Sequence, residues 1–188
     1  MRYSRGVSAY KLVELYVFEY VESDVVRSLE EFIPRALGFE VRLAGHLAIP
    51  EEILDSTRRQ YLAEAVARLV AYRKSERAIG LLVADADAYV PGLNFVFGLA
   101  APSLGVATVF LRRLRQWTDR ANYVERVVKE VLHELGHVFG LKHCRNRKCV
   151  MSFSNSVFEV DVKSRAFCRS CVRKLGELGI EVSGEFAI

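Results

Sequence analysis

Long apolar runs are missing from this chain: none approaches the roughly 20 residues that a membrane-spanning helix requires. The N-terminal stretch MRYSRGVSAYKLVELYVFEY also lacks the unbroken apolar core of a secretory leader, because Lys11, Glu14 and Glu19 interrupt it. The chain is therefore expected to begin near Met1, without a propeptide, and to stay in the cytoplasm. Repeats, low-complexity segments and linkers are absent too, which excludes solenoids and loosely tethered domains. Cysteine is scarce, with four in the chain and none before position 144, so no upstream thiol can block a metal site.

What is present is a chain of 188 residues, 51% of them hydrophobic, enough for one full core. The net charge is +4. Much of the excess lies in Arg112, Arg113 and Arg115 and around the cysteines, at Lys142, Arg145, Arg147, Lys148, Arg169, Arg173 and Lys174. Such a cluster could attract acidic peptides or nucleic acid. The preferred reading is plainer: a solvated surface that offsets the negative charge of a tetrathiolate metal site.

The chemistry concentrates between Asn122 and Met151. Here His133-Glu134-Leu135-Gly136-His137 is followed by Gly140 and then His143. Two histidines four apart share one face of a helix, since a turn takes about 3.6 residues. Both imidazoles then reach one zinc ion at the usual distance of roughly 2.0–2.1 Å. Glu134, about 100° round the helix from His133, can reach water at the metal without ligating it. The helix itself is supported by Val124, Val127, Val128, Val131, Leu132, Leu135 and Val138, which recur at three- and four-residue intervals. Asn122 is its expected N-cap, with Glu125 completing a capping-box-like start. Gly140 is the expected stop, turning the chain so that His143 returns to the metal as a third ligand. The alternative is a buried amphipathic helix that merely contains histidines; the offsets of Gly140 and His143 argue against it.

Cys144, Cys149, Cys168 and Cys171 could form two disulfides in a secreted protein. Without a secretion signal, metal binding is the better reading. One CxxC pair and a second close pair suit a tetrahedral thiolate zinc site.

HELGHVFGLKH has the HExxHxxGxxH pattern of the metzincin zinc peptidases. With Cys144 directly after the third histidine, then Cys149, Met151, Cys168 and Cys171, the motif resembles the archaemetzincin family. The stretch YVPGLNFVFG is similar to that family as well. The resemblance implies that His133, His137 and His143 bind a catalytic zinc, that Glu134 is the base and that Met151 forms the Met-turn. It also implies a second, structural zinc on the four cysteines, hence two zinc ions per chain. The implied fold is α/β and zincin-like: a twisted, mostly parallel sheet with an antiparallel edge strand, an active-site helix and a small zinc-stabilised C-terminal subdomain. Residues 1–188 are read as one metallopeptidase domain, with 1–140 as its upper part and 141–188 as its lower part.

Periodicity elsewhere fits an α/β arrangement. Residues 11–20 read as a strand, with Val13, Leu15 and Val17 on one face and Tyr16 and Phe18 on the other. Ser23 is read as the cap of a helix ending near Pro34 to Gly38, and a second strand begins at Phe39. Ser56 to about Tyr72 reads as a helix, Ile79 to Ala84 as a strand buried on both faces, and Val106 to Leu111 as another strand. A last helix is expected after Cys168, through Leu175 and Leu178. Asn94-Phe95-Val96-Phe97-Gly98 is expected as the edge strand. By resemblance it lines the cleft and pairs with substrate backbone, which puts Phe95 and Phe97 at the substrate. His46 is read as a satisfied structural histidine, and Asp85 and Asp87 as exposed turn formers rather than cation ligands. Phe153 occupies the position where some metzincins carry a tyrosine, so that hydroxyl is missing here.

The function expected is a zinc-dependent metallopeptidase that hydrolyses peptide bonds by zinc-activated water, with Glu134 as general base. Its partner would be a peptide or protein substrate, with no membrane and no nucleic acid involved, and the chain acting as a monomer. The rival is a non-catalytic zinc-stabilised binding protein that uses the basic cysteine region to bind nucleic acid. Glu134 argues against the rival, because a purely structural metal site needs no carboxylate there.

Overall fold

Alternating apolar side chains organise the sheet on which everything else is mounted. The structure is a computed structural model that describes residues 11–188; the first ten residues, where the sequence reading starts the domain, lie outside the described residues. β1 (Leu12–Phe18) is followed by α1 (Ser23–Leu37) and β2 (Glu40–His46). The short β3 (Leu54–Asp55) and β4 (Gln60–Leu62) lead into α2 (Ala63–Arg73), β5 (Ile79–Ala84) and the two-residue β6 (Ala88–Tyr89). β7 (Gly98–Ala101) and β8 (Val106–Phe110) precede the long α3 (Arg120–Val138), with α4 (Val157–Val162) and α5 (Arg169–Glu177) after it.

The main sheet runs β2-β1-β5-β8-β7 and is parallel except for β7, which pairs antiparallel with β8. β3, β4 and β6 form a small second sheet. Val13, Leu15, Leu81, Val83, Ala107 and Val109 face a core shared with α1 and α3. Tyr16, Phe18, Leu82, Ala84 and Phe110 face the other side, against α2. Cover on both faces is why β5 reads IGLLVA with no polar residue. Glu14 is the polar exception on β1, only 2% exposed. The Ser75 backbone and hydroxyl donate to it at 2.9 and 2.7 Å, Tyr16 donates at 3.0 Å, and Arg42 pairs with it. Burial pushes its pKa up, but those bonds outweigh burial and hold it down at about 2.

Four sequence expectations move. The helix expected from Ser56 begins only at Ala63. Asp55 accepts from the Thr57 and Arg58 N–H groups, Arg59 sits at φ 54°, and β4 then pairs with β6. That turn competes with helix and wins. Asp119, not Asn122, caps α3: its carboxylate accepts from Asn122 N at 2.9 Å. Glu22 rather than Ser23 occupies the N-cap position of α1, with no side-chain cap bond. The antiparallel edge strand is Gly98–Ala101, so of the NFVFG segment only Gly98 belongs to it, while Val96 makes a single bridge to Ala88 and the Phe97 carbonyl accepts from Phe110 N at 2.8 Å. The Asn94 carbonyl is already taken by Arg58 and Gln60, at 2.9 and 3.0 Å, so it is not free for a ladder. Of the minor expectations, His46 is exposed at the end of β2, with no buried environment to satisfy. Asp85 and Asp87 are half-buried arginine acceptors rather than solvent-facing turn residues.

Residues beyond Gly140 do not build a core of their own. Val150, Met151, Val160, Phe167, Leu175 and Phe186 join the same apolar cluster as α1 and α3.

Candidate metal centres and cleft

α3 is buried along almost its whole length, including side chains that ordinarily face water. Arg126 is 1% exposed; it holds Asp161 through two bonds of 2.7 and 2.6 Å and caps the Leu114 and Gln116 carbonyls. Lys129 donates to the Val160 carbonyl at 3.3 Å, and Glu130 pairs with buried Lys163 at 2.7 Å. These bonds lock α3 to α4 just below the histidines.

His133 and His137 project from the next two turns. Their Nδ1 atoms lie 2.8 Å from the Val150 carbonyl and 2.7 Å from the Leu141 carbonyl. A carbonyl can only accept, so each Nδ1 carries the proton and each Nε2 is a bare lone pair. The two Nε2 atoms sit 3.1 Å apart. Two lone pairs at that distance repel unless a cation lies between them, and two nitrogens on one tetrahedral zinc are separated by about 3.3 Å. The donor set therefore fits a zinc ion.

The chain turns at Gly140, φ 91°, and Leu141 N closes the turn on the Gly136 carbonyl at 2.9 Å. This returns His143, whose ring centroid lies 4.8 Å from that of His137 and 5.3 Å from that of His133. Ligand atoms of the three histidines all fall within 4.8 Å of one another. Burial pushes the pKa of His133 well below the ordinary value, and it lowers those of His137 and His143 too. Neutral imidazole is the form that binds a metal.

Glu134 is buried beside this set. Burial raises its pKa well above the ordinary value and Glu130 adds to that, while Lys163 and the Ala100 N–H work the other way. β7 lies directly against it: a Cβ at Gly98 would fall 2.6 Å from Glu134 Cγ and 2.7 Å from Oε1. Met151, fully buried, lies under Gly136 so closely that a Cβ there would collide with its sulfur. Cys144 N bonds the Met151 carbonyl at 2.9 Å, which ties the segment carrying His143 to the floor.

The four cysteines gather nearby as free thiols, with all Sγ atoms within 4.8 Å. Cys144 and Cys168 sulfurs are 3.6 Å apart and those of Cys149 and Cys171 3.8 Å, far beyond the about 2.05 Å of a disulfide. Two backbone N–H groups, of Asn146 and Cys168, point at the sulfurs of Cys144 and Cys149. Burial pushes the Cys149 thiol up to about 11, so a cation is needed before all four become thiolates. Tetrahedral thiolate zinc is the group this cluster suits.

A cavity of about 750 Å³ opens over the histidines. Val90, Leu93, Phe95, Phe97 and Leu99 line it, as do Phe153, Ser154 and Asn155. Among the described residues no lysine or arginine lines it; its charged groups are Glu130 and Glu134. Phe153 packs on His143 with ring centroids 4.9 Å apart. Phe95 is half-buried at the cavity wall, while Phe97, 5% exposed, is mostly core. The α3–α4 polar seam, the arginines behind the Phe95 wall and α4 itself are features the sequence reading did not find. Their partners are 10 to 36 residues away, a distance at which no local pattern links them.

The model of Peptidase family M54 matches residues 8–177. The chain belongs to this family. Its relatives include the archaemetzincin of Pyrococcus horikoshii, 44% identical over 166 residues, covering 81% of this chain and 87% of that protein. The archaemetzincin of Aeropyrum pernix is 54% identical over 132 residues, covering 67% of this chain and 70% of its own. The crystal structure of archaemetzincin from Methanopyrus kandleri superposes with a TM-score of 0.83 at 40% identity, covering 94% of this chain and 98% of that one. As an M54 member the chain is a zinc metallopeptidase with the α/β fold of the archaemetzincin structures. The M54 match does not favour the rival reading as a non-catalytic binding protein.

Proposed function

We propose that His133, His137 and His143 hold the catalytic zinc, that Glu134 is the general base, and that Cys144, Cys149, Cys168 and Cys171 hold a second, structural zinc. The observation that carries this is the pair of bare Nε2 atoms 3.1 Å apart, each fixed by a carbonyl behind it. When bound, zinc supplies Lewis acidity to the scissile carbonyl and to water. Glu134 takes a proton from the attacking water and passes it to the leaving amine nitrogen. Its buried position suits the base role, because a carboxyl held above its ordinary pKa takes up a proton more readily. Phe153 and Phe95 flank the substrate, and β7 offers backbone groups to it. Met151 packs beneath the helix between the two turns that carry His133 and His137 and keeps them in register. The substrate is a peptide or protein segment acted on in the cytoplasm; among the described residues no helix is long and apolar enough to cross a membrane.

The test is zinc quantification beside peptide turnover. Metal-saturated parent should contain two zinc ions per chain. Glu134→Gln should keep both while losing roughly 10²–10⁴ in turnover. His143→Ala should lose one zinc, having only two protein ligands left. A parent holding a single zinc, or Glu134→Gln losing metal as His143→Ala does, would refute the assignment.

A further inference from the structure

The cavity wall from Val90 to Phe97 is held by side chains that do not themselves touch the cavity. Arg58 donates to the Leu93 and Asn94 carbonyls at 3.2 and 2.9 Å and to the Gln60 side chain at 2.9 Å. Gln60, 4% exposed, donates to the Asn94 carbonyl at 3.0 Å and to Asp87 at 3.1 Å. Asp87 in turn accepts two parallel bonds from Arg113, at 2.8 and 2.7 Å. The Arg113 guanidinium, fixed by that fork, lies 4.2 Å from the centroid of the Phe95 ring, and Phe97 meets the same ring edge-on at 5.1 Å. Neither arginine lines the cavity, whereas Phe95 does.

Backbone bonds do little to hold this wall. Between Val90 and Phe97 the chain closes one turn, Leu93 N to the Val90 carbonyl, makes the bridge of Val96 to Ala88, and accepts at the Phe97 carbonyl from Phe110 N at 2.8 Å; none of these bonds involves the Phe95 backbone. Phe95 is placed by Arg113 and Phe97, and the backbone just before it by Arg58 and Gln60. A long planar cation stacked on an aromatic ring and locked by a half-buried carboxylate is a rigid support.

We propose that Arg58 and Arg113 are positioning residues that set substrate selectivity, by fixing Phe95 as the surface on which a bulky apolar side chain flanking the scissile bond packs. This rests on the metallopeptidase reading of the cleft. The chemistry of the wall selects the side chain: Val90, Leu93 and Phe95 offer apolar area, and among the described residues no lysine or arginine lines the cavity to draw an acidic one. With the ring fixed in advance, binding such a side chain costs little ordering. With the ring free, the preference for it falls while the metal and Glu134 are untouched.

The experiment measures calorimetric binding of two dipeptide hydroxamates, differing only in leucine or alanine at the side chain beside the zinc-binding group. They are titrated into the zinc-loaded full-length chain. The parent should prefer the leucine compound by about tenfold, as buried methylenes discriminate. Arg113→Met, and separately Arg58→Met, should lose most of that preference while holding the alanine compound within about twofold and keeping both zinc ions. Arg113→Lys should be intermediate, because a lysine pairs with Asp87 without stacking flat on the ring. Phe95→Ala should lose the preference outright, and adding Arg113→Met to it should change nothing more. Arg58→Met approaches the wall from the other side and keeps the test decisive if Arg113→Met unfolds. An unchanged preference in both arginine variants, equal weakening of both compounds, or an additive double variant overturns the proposal. Failure of the zinc-loaded parent to bind either hydroxamate overturns the metallopeptidase centre itself, and the proposal with it.

Discussion

Gly98 and Glu14 show how much one residue decides here. A methyl group at position 98 would press on Glu134 and, at 2.7 Å, on the Thr108 carbonyl, which cannot move without breaking the β7–β8 ladder. Gly98→Ala should therefore cost about 1–3 kcal/mol by overpacking. It should also reduce turnover by up to about 100-fold by displacing Glu134, the proposed base; thermal melts and peptide hydrolysis read the two effects. Normal turnover in a stably folded Gly98→Ala protein would contradict the packing argument. Glu14 acts through charge. Its folded pKa of about 2 lies below the ordinary 4.5, so it stabilises the fold fully above about pH 4.5 and loses that contribution as pH falls through about 2. The gap is worth about 3 kcal/mol. Glu14→Gln should be less stable than the parent at neutral pH, and the difference should shrink steadily in denaturant titrations from pH 5 towards pH 2.

Helix α3 is long, buried and heavily charged, a combination that requires a partner element. That partner is α4, whose Val160 carbonyl, Asp161 and following Lys163 meet Lys129, Arg126 and Glu130. Lys163 also donates to the Ser152 carbonyl at 3.3 Å, next to Met151, so one ammonium links α3 to the segment that carries Met151. Removing one member of the Glu130–Lys163 pair strands the other in the core, at about 3–5 kcal/mol. Lys163→Met alone should be strongly destabilising in urea unfolding. Glu130→Leu with Lys163→Met should recover most of the loss, since a well-packed apolar pair can replace a buried ionic one. A neutral effect of Lys163→Met by itself would show that the seam does not bear on stability.

Across the molecule, the chain beyond Gly140 depends on the core it shares with α1 and α3 and on its cysteines. Cys144 adjoins His143, and Cys149 is two residues from Met151, so the cluster pins both the third histidine and the floor. On the proposed ligand set, Cys168→Ser should lower the melting temperature and loosen the catalytic zinc indirectly. Metal content and melting curves of the variant check it. A variant lacking the second zinc yet melting like the parent would show that the apolar cluster alone suffices.

That the three histidines gather beside Glu134, and the four cysteines with one another, was legible in the sequence, because ligand chemistry fixes both residue type and spacing and helix geometry converts a spacing of four into one face. β1, β5 and β8 were legible for the same kind of reason, since alternation or unbroken apolar character records which faces are covered. What escaped were features whose partners are remote in the chain. The start of α2 was decided by Asp55 and by pairing with β6, and the edge strand was shifted because Arg58 and Gln60 had taken the Asn94 carbonyl. Asp85 and Asp87 look like ordinary turn residues until Arg115 and Arg113 arrive from beyond β8. Local sequence set the chemistry of the centre. Only the tertiary structure decided which carbonyl aims each imidazole and which arginine holds the wall, because those bonds exist only once distant segments are packed together.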